Sequence, residues 1–197
     1  GNVTYYVYGI VKPAPLFPAS CAPLVAYIVT VKPAANLAAG SDMPICAGTS
    51  ATLNATAVNA PGPMTYSWSN GLGAGASKTV SPTSTTTYTV TVTAGSGCTS
   101  TDQVVVTVKP SPSVNAGTDK SICAGGFGTS LNAVGSGGVG PYTYQWSHGL
   151  GSGASKSVNP TSTTTYTVTV TSSNGCIGTD QVKVTVNQCV ENCANGI

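Results

Sequence analysis

Apolar and polar residues alternate along many short stretches of this chain, and the alternation predicts β-strands. In the segment TTTYTVTVT, Tyr88, Val90 and Val92 face one way, and the threonines between them face the other. Clusters of glycine, proline, asparagine and serine separate these stretches at short intervals, and no stretch has helical periodicity. The pattern predicts an all-β protein built from short, half-buried strands.

The strand pattern is repeated within the chain. Landmark residues recur 78 positions later: Trp68 as Trp146, Tyr88 as Tyr166, Leu53 as Leu131 and Cys98 as Cys176. A spacing of 77 relates Cys46 to Cys123 and Cys21 to Cys98. Six or seven short strands in about 78 residues suit a small β-sandwich. We predict an incomplete repeat containing only the last two strands, two complete repeats and a cysteine-containing tail, at 1–34, 35–111, 112–188 and 189–197.

Composition restricts the location and the partners. Charged residues make up 6% of the chain and the net charge is +2, which provides no basic field for nucleic acid. No apolar run approaches the length of a membrane span. Seven cysteines at repeating positions favour an oxidising compartment. We therefore expect an extracellular, secreted or cell-surface protein with no nucleic-acid partner and no membrane span.

The tryptophan and tyrosine positions, together with the strings GPYTYQWS and YTVTVTSSNGC, resemble immunoglobulin-like and PKD-like repeats. The longer string that begins AGTDKSICAGG is similar to repeats of large cell-surface adhesins of Bacteroidetes, including SprB-type gliding-motility adhesins. The resemblance covers 35–188 well and 1–34 in part. It implies tandem immunoglobulin-like (PKD-like) β-sandwiches with adhesive or structural roles, and it transfers no catalytic residue.

The immunoglobulin-like topology also suggests disulfide partners. Its first strand runs parallel to its last, and we expect a cysteine on the first strand to lie near the turn that opens the last. The predicted bonds are Cys46–Cys98 and Cys123–Cys176, each closing a loop of about fifty residues and worth roughly 2–4 kcal/mol. Metal binding is disfavoured, because the chain has one histidine and no CxxC pair.

Three cysteines remain, Cys21, Cys189 and Cys193, and they are candidates for inter-subunit disulfides. By register Cys21 needs a partner on a first strand, which the opening segment lacks. The tail of another subunit could supply both the strand and the cysteine, and an odd cysteine count favours an intermolecular bond. The alternatives are a local Cys189–Cys193 bond with Cys21 free, or a chain cut from a longer array.

The opening segment is apolar on both sides of its predicted hairpin. A two-stranded hairpin is marginal alone in water, and its open edges invite another chain. The predicted assembly interface comprises Tyr5, Tyr6, Val7, Tyr8, Ile10, Tyr27, Ile28, Val29 and Val31. Packing of the hairpin against the first complete repeat is the alternative.

These observations lead to a functional hypothesis. We expect a structural subunit of an extracellular filament, assembled head to tail by β-strand complementation with copies of itself. The alternative is a stalk or spacer of a long monomeric adhesin. Surface glycans or other cell-surface proteins are further candidate partners.

An enzymatic role is not expected. The segments GLGAGAS and GLGSGAS have nucleotide-loop spacing but lead into predicted strands, whereas phosphate binding requires a helix N-terminus. The single histidine, His148, is replaced by Asn70 at the equivalent place in the other repeat, so no repeated catalytic role exists.

Calcium and sugars are weaker hypotheses. No cofactor is expected, and the few carboxylates make calcium a weak candidate, with turn capping the favoured role of the aspartates. These aspartates are Asp42, Asp102, Asp119 and Asp180. The sequons at Asn2 and Asn54 are candidate glycosylation sites.

Overall fold

The computed structural model describes residues 3–10, 24–60 and 62–189, and all regular structure in these ranges is β. The opening segment contains β1 (Val3–Ile10) and β2 (Leu24–Val31). The first repeat contains β3 (Asn36–Ala38), β4 (Met43–Cys46), β5 (Ala51–Asn54), β6 (Thr56–Val58), β7 (Met64–Trp68), β8 (Gly73–Ala74), β9 (Ser77–Val80), β10 (Thr86–Ala94) and β11 (Thr99–Lys109). The second contains β12 (Pro112–Asn115), β13 (Lys120–Cys123), β14 (Thr129–Asn132), β15 (Val134–Gly137), β16 (Tyr142–Trp146), β17 (Gly151–Ser152), β18 (Ser155–Val158), β19 (Thr164–Ser172) and β20 (Ile177–Asn187).

Both repeats have the same sheet topology. Each has a five-stranded sheet, with strand order β4-β11-β10-β7-β8 in the first repeat and β13-β20-β19-β16-β17 in the second. In the second repeat, β13 runs parallel to the last strand, β20, while β20 and β19 pair antiparallel. Two short ladders form the second layer of each repeat: β3 with β6 and β5 with β9, or β12 with β15 and β14 with β18. The predicted immunoglobulin-like β-sandwich is therefore confirmed.

Alternation along the strands creates the core. In β10, Tyr88, Val90 and Val92 are buried, as the period-two pattern predicts. The corresponding side chains of β19 are buried in the second core, with Leu131 and Trp146. Each tryptophan indole N–H finds a carbonyl acceptor, which satisfies its polar atom inside the core.

The tryptophan acceptors lie in the glycine-rich segments. The Trp68 Nε1 donates to the Gly75 carbonyl at 2.9 Å, and the Trp146 Nε1 donates to the Gly153 carbonyl at 3.0 Å. Gly75 has a φ of 125°, a region that favours glycine. These segments form the short strands β8 and β17 and cap the core tryptophans, so the structure gives them a role in packing.

The chain divides into two compact units. One comprises Gly1–Met43, Ser50–Val80 and Thr85–Val106, and the other comprises Pro44–Thr49, Ser81–Ser84 and Thr107–Ile197. Strands β3 to β11 lie inside the range 35–111, and strands β12 to β20 lie inside 112–188. The repeat boundaries themselves stay predictions.

Candidate functional site: the head hairpin and its cysteines

The opening segment forms an antiparallel hairpin, β1 with β2, which we call the head hairpin. Val29 lies opposite Tyr5 in the head hairpin, whereas Val106 lies opposite Thr86 in the β10–β11 pair of the first repeat. Val29 and Val106 are 77 positions apart, the spacing of the repeat. Val29 thus occupies in β2 the place that Val106 occupies in the last strand of the first repeat.

The end of β2 is exposed on both faces. Ile28 is 66% exposed and Val29 is 46% exposed, and consecutive residues of a strand point to opposite faces. In the complete repeats, the residues equivalent to Val29 are Val106 and Val184, which are 0% exposed. Within the described ranges, no strand besides β1 pairs with β2. The head hairpin therefore has an uncovered inner face and an open edge at this end.

Six other residues of the predicted interface lie on the same two strands. Their side chains fall outside the described residues, so their part in an interface stays a prediction: Tyr5, Tyr6, Val7, Tyr8, Ile10 and Tyr27. Val31, by contrast, is described and is 50% exposed.

In each complete repeat, the carbonyl at the end of the last strand accepts an N–H from the residue that follows the first strand. In the first repeat, the Ala47 N–H donates to the Lys109 carbonyl at 2.8 Å. In the second, the Ala124 N–H donates to the Asn187 carbonyl at 2.9 Å. Both donors directly follow the cysteine of a first strand. At the equivalent place in the head hairpin, the Lys32 carbonyl accepts the Cys98 thiol at 3.7 Å.

Cys98 and Cys176 occupy equivalent turns before the last strands. The Cys98 carbonyl accepts the Ala94 N–H and the Cys176 carbonyl accepts the Ser172 N–H, both at 2.9 Å. A lysine ammonium also reaches each turn: Lys32 Nζ lies 3.2 Å from the Ser96 carbonyl, and Lys109 Nζ lies 3.2 Å from the Asn174 carbonyl. The two turns thus share their geometry, although their cysteines differ in bonding.

The structure pairs the cysteines differently from the sequence prediction. Cys46 bonds to Cys176 with a Cα–Cα distance of 5.6 Å, and Cys123 bonds to Cys189 at 5.3 Å. Cys98 is free and half-buried. The predicted bonds Cys46–Cys98 and Cys123–Cys176 are therefore wrong, and Cys189, predicted as an inter-subunit candidate, is bonded within the chain.

The parallel register explains this correction. Cys123 lies opposite Asn187, which is eleven positions beyond Cys176 along β20. At about 3.3 Å per residue, about 36 Å separate the two ends of such a strand. A first-strand cysteine therefore lies at the end of the last strand, far from the turn that opens it. The Cys46–Cys176 bond instead joins the first repeat to a turn of the second, and both residues belong to the second compact unit.

Two cysteines, Cys21 and Cys193, lie outside the described residues, as does Asn2. Inter-subunit disulfides at Cys21 and Cys193 and glycosylation at Asn2 stay predictions. Asn54, the other sequon asparagine, is exposed at the end of β5, and its glycosylation also stays a prediction.

The four aspartates accept backbone N–H groups. Oδ1 of Asp42 accepts the Val105 N–H at 2.8 Å, and Oδ2 of Asp102 accepts the Ala39 N–H at 2.8 Å. Asp119 and Asp180 repeat these contacts with Lys183 and Ala116. Hydrogen bonds from the Ala39 and Gln103 amides lower the pKa of Asp102 below its ordinary value of 3.8.

Metal binding has no assembled ligand group in the part of the chain that the structure describes. There, no three His, Cys, Asp or Glu side chains come together in a way that could hold an ion. The aspartate oxygens accept amides 63 or 64 positions away and join distant segments of the sandwich, which differs from the turn capping favoured from the sequence. Calcium binding stays a prediction.

His148 is an exposed loop residue. Its φ is 56°, the same as that of Asn70 at the equivalent place in the first repeat. Its ring contacts Tyr166 edge-on with centroids 5.2 Å apart, and its Nδ1 lies 2.9 Å from the Ser147 hydroxyl. The φ shared with Asn70 and the ring contact with Tyr166 are sufficient to explain His148 as a turn residue.

No protein-family model and no curated protein sequence matches the chain. Among solved structures, the chain is similar to DIP-gamma IG1+IG2, at 12% identity over 81% of this chain and 100% of that one, with a TM-score of 0.37. It is similar to the PKD domain of human KIAA0319 at 21% identity over 44% and 89%, with a TM-score of 0.35. It is also similar to fibronectin(III)-like modules of Clostridium thermocellum CbhA at 15% identity over 80% and 95%, with a TM-score of 0.36. Helices able to cross a membrane do not occur among residues 3–10, 24–60 and 62–189.

Proposed function

We propose that this chain is a structural subunit of an extracellular filament or surface appendage, and that it assembles head to tail by β-strand complementation. One observation carries the proposal. Val29 of the head hairpin is 46% exposed, whereas its equivalents Val106 and Val184 are fully buried. Full burial of one valine is worth roughly 1.5–3 kcal/mol, so covering the head hairpin with another chain's strand would stabilise the contact.

The polarity of the open edge supports the same proposal. The Lys109 carbonyl accepts the amide of Ala47, so the backbone at this position faces the first strand. The N–H and C=O groups of a strand point to alternate sides with period two. Lys32 is equivalent to Lys109, so the N–H and C=O groups of Lys32 and Thr30 point away from β1, toward the side where a first strand would lie. The head hairpin thus presents amides and carbonyls to an incoming strand.

A head-to-tail contact of this kind joins two different surfaces. Such heterologous contacts do not close upon themselves unless a rotation closes a ring, and they otherwise generate open fibres. No catalytic group is required for this role, and the proposed partners are copies of the chain. Disulfide bonds and a low charge are consistent with display outside the cell.

The proposal is tested by removing one amide from the open edge. Thr30→Pro deletes the outward N–H at an edge position where proline is tolerated. Thr30→Val keeps the amide and a β-branched side chain of similar size. Under reducing conditions, which isolate the non-covalent contact, we expect concentration-dependent growth in sedimentation for the unmodified chain and for Thr30→Val. For Thr30→Pro we expect at least a tenfold loss of association. Equal association of the two variants, or single particles at every concentration, would contradict the proposal.

The second candidate function is a spacer in a long adhesin, as the resemblance to adhesin repeats suggests. The Cys46–Cys176 bond favours it, because it joins two successive repeats covalently by a route other than the main chain. In that case the strand that covers β2 would come from the same polypeptide. Electron micrographs with only single beaded particles, unaffected by Thr30→Pro, would support the spacer.

A further inference from the structure

The Cys46–Cys176 disulfide is a covalent shortcut through the chain, which we call the bypass. Its two cysteines are 130 positions apart in sequence, so residues 47–175 form a closed loop between them. That loop contains every strand from β5 to β19, whereas β4 and β20 lie outside it. When the chain is pulled at points outside 46–176, tension therefore enters the disulfide at Cys46 and leaves it at Cys176.

Most of both hydrophobic cores belongs to the closed loop. It includes Leu53, Trp68 and Val90 of the first repeat, and Leu131 and Trp146 of the second. With the disulfide intact, tension on the flanking chain cannot draw these side chains out of their cores, because the loop is not stretched. With the disulfide open, the same tension acts on every strand of both sandwiches.

Tension crosses the second repeat along β20. This strand directly follows Cys176 and lies between β13 and β19 in its sheet. A β-strand rises about 3.3 Å per residue, close to the ~3.6 Å limit of a fully extended chain. Tension applied at the two ends of β20 therefore lengthens it very little, and its ladders with β13 and β19 stay in register.

The second disulfide does not divert this tension. Cys123–Cys189 connects the loop to the far end of β20. Along β20, Cys176 and Cys189 are thirteen positions apart, whereas the shorter of the two routes through the loop, from Cys123 to Cys176, has fifty-three. Both routes through the loop stay slack when β20 is taut, so β20 carries the load.

Tension crosses the first repeat along residues 32–46. The Lys32 carbonyl lies 3.7 Å from the Cys98 thiol, just before β11 begins, and the amide that follows Cys46 donates to the Lys109 carbonyl, where β11 ends. This segment therefore runs the length of β11, about 36 Å for eleven residues. Fully extended it reaches at most ~50 Å, so its slack is on the order of 10 Å.

Two aspartates hold this segment against the loop. Asp42 lies on the segment and accepts the Val105 amide, and Asp102 lies in the loop and accepts the Ala39 amide, both at 2.8 Å. Each contact joins the loaded segment to β11, which belongs to the loop. Hydrogen bonds to ionised carboxylates are roughly twice as strong as neutral ones. Both contacts therefore oppose the lifting of β3 and β4 from the first repeat.

We propose that the chain is a force-bearing tether, in which the Cys46–Cys176 disulfide carries tension past both sandwich cores and limits how far the chain extends. This inference rests on the proposed structural role, since a filament subunit or a spacer transmits tension between its neighbours. The oxidised tether stays short under load. A reductant that opens the bond makes the same chain extensible.

Single-molecule stretching of the full chain, held by peptide tags fused to both termini, tests the bypass. Serine at Cys21, Cys98 and Cys193 leaves only the cysteines of the two described disulfides. We expect this oxidised background to reach about a third of the contour length that it reaches with a dithiol, a difference of about 450 Å. The dithiol reduces each protein disulfide to two thiols and is itself oxidised to a disulfide.

Two substitutions in this background form a matched pair, since each removes one disulfide. Cys46→Ser opens the bypass, and tension then passes through the Cys123–Cys189 bond, so the oxidised chain should lengthen by about 220 Å. Cys123→Ser leaves the bypass intact and should not lengthen the oxidised chain. Peptide mass mapping verifies the remaining bond in each variant.

The outcomes separate the bypass from the assembly. An oxidised background that reaches the reduced contour length, or a Cys123→Ser chain that lengthens as much as Cys46→Ser, would overturn the bypass. So would a reduced chain that stays as short as the oxidised one, because the sandwiches would then resist tension without the bond. Growth in sedimentation without a bypass would leave head-to-tail assembly standing. A bypass without such growth would leave the tether standing in the spacer role.

Discussion

The head hairpin and the last two strands of a complete repeat differ in whether a second layer of strands covers their inner face. Both are antiparallel pairs, and both carry valines at period two in their second strand. In the complete repeats the valines face a second layer and are fully buried, as Val106 and Val184 are. In the head hairpin, Val29 remains 46% exposed.

The comparison separates two contributions to a sandwich. Backbone pairing and local alternation are sufficient to specify the two strands and their register. Burial requires the opposing layer, here the short ladders β5–β9 and β14–β18, which the head lacks within the described residues. The same side-chain type is therefore a core residue in one place and a docking residue in the other.

The largest expected difference in stability is between a variant of the disulfide-bonded Cys46 and a variant of the free Cys98. Cys46→Ser opens the bond to Cys176 and should lower the free energy of unfolding by about 2–4 kcal/mol, because the unfolded chain regains the entropy of a long loop. Cys98→Ser should change the stability of the single chain by much less, since Cys98 forms no disulfide there and serine can still donate to the Lys32 carbonyl. Denaturant unfolding without reductant measures both. Equal unfolding midpoints for the two variants would contradict the expected difference between Cys46 and Cys98.

A smaller difference in stability is expected between substitutions of the equivalent valines Val106 and Val29. Val106→Thr places a hydroxyl in a fully buried site and should cost about 1–3 kcal/mol. Val29→Thr should change the stability of the single chain by much less, because the site is open to water. Thermal unfolding at low protein concentration, where chains do not associate, provides the measurement. A loss at Val29 as large as that at Val106 would mean that the head hairpin is already covered within its own chain.

The smallest effect concerns a carboxylate that the complete repeat has and the head hairpin lacks. Asp102 accepts the Ala39 and Gln103 amides, and the equivalent position in the head is Val25. Because its folded pKa is lowered, Asp102 stabilises the fold fully above pH 3.8, and this contribution is lost as the pH falls through the folded pKa.

Two measurements check this linkage. The carboxyl of Asp102, followed by NMR, should titrate with a midpoint below 3.8. Asp102→Asn should be slightly less stable than the unmodified chain at pH 7, and the two unfolding curves should converge on acidification. A midpoint at or above 3.8 would remove the physical basis of the prediction.

The cysteines illustrate what sequence reasoning missed and why. The repeat spacing correctly placed Cys98 and Cys176 in equivalent turns, and Cys46 and Cys123 on equivalent first strands. The error came from the place of the cysteine along the first strand: Cys123 ends β13, and parallel pairing puts that end opposite Asn187 and far from Cys176. The sequence does contain a signal: Ala-Gly directly follows both Cys46 and Cys123, and the glycine predicts a turn there that places each cysteine at the end of its strand.

The sequence by itself determined the strands, their inner and outer faces and the repeat, since period-two alternation and turn residues act over a few neighbours in the chain. Only the tertiary structure decided which cysteines meet and which valines are buried. Both depend on segments distant in sequence: the parallel partner of the last strand and the opposing layer of the sandwich. That is why Cys46 reaches Cys176 across 130 positions, while Val29, in the register of a core residue, remains in contact with solvent.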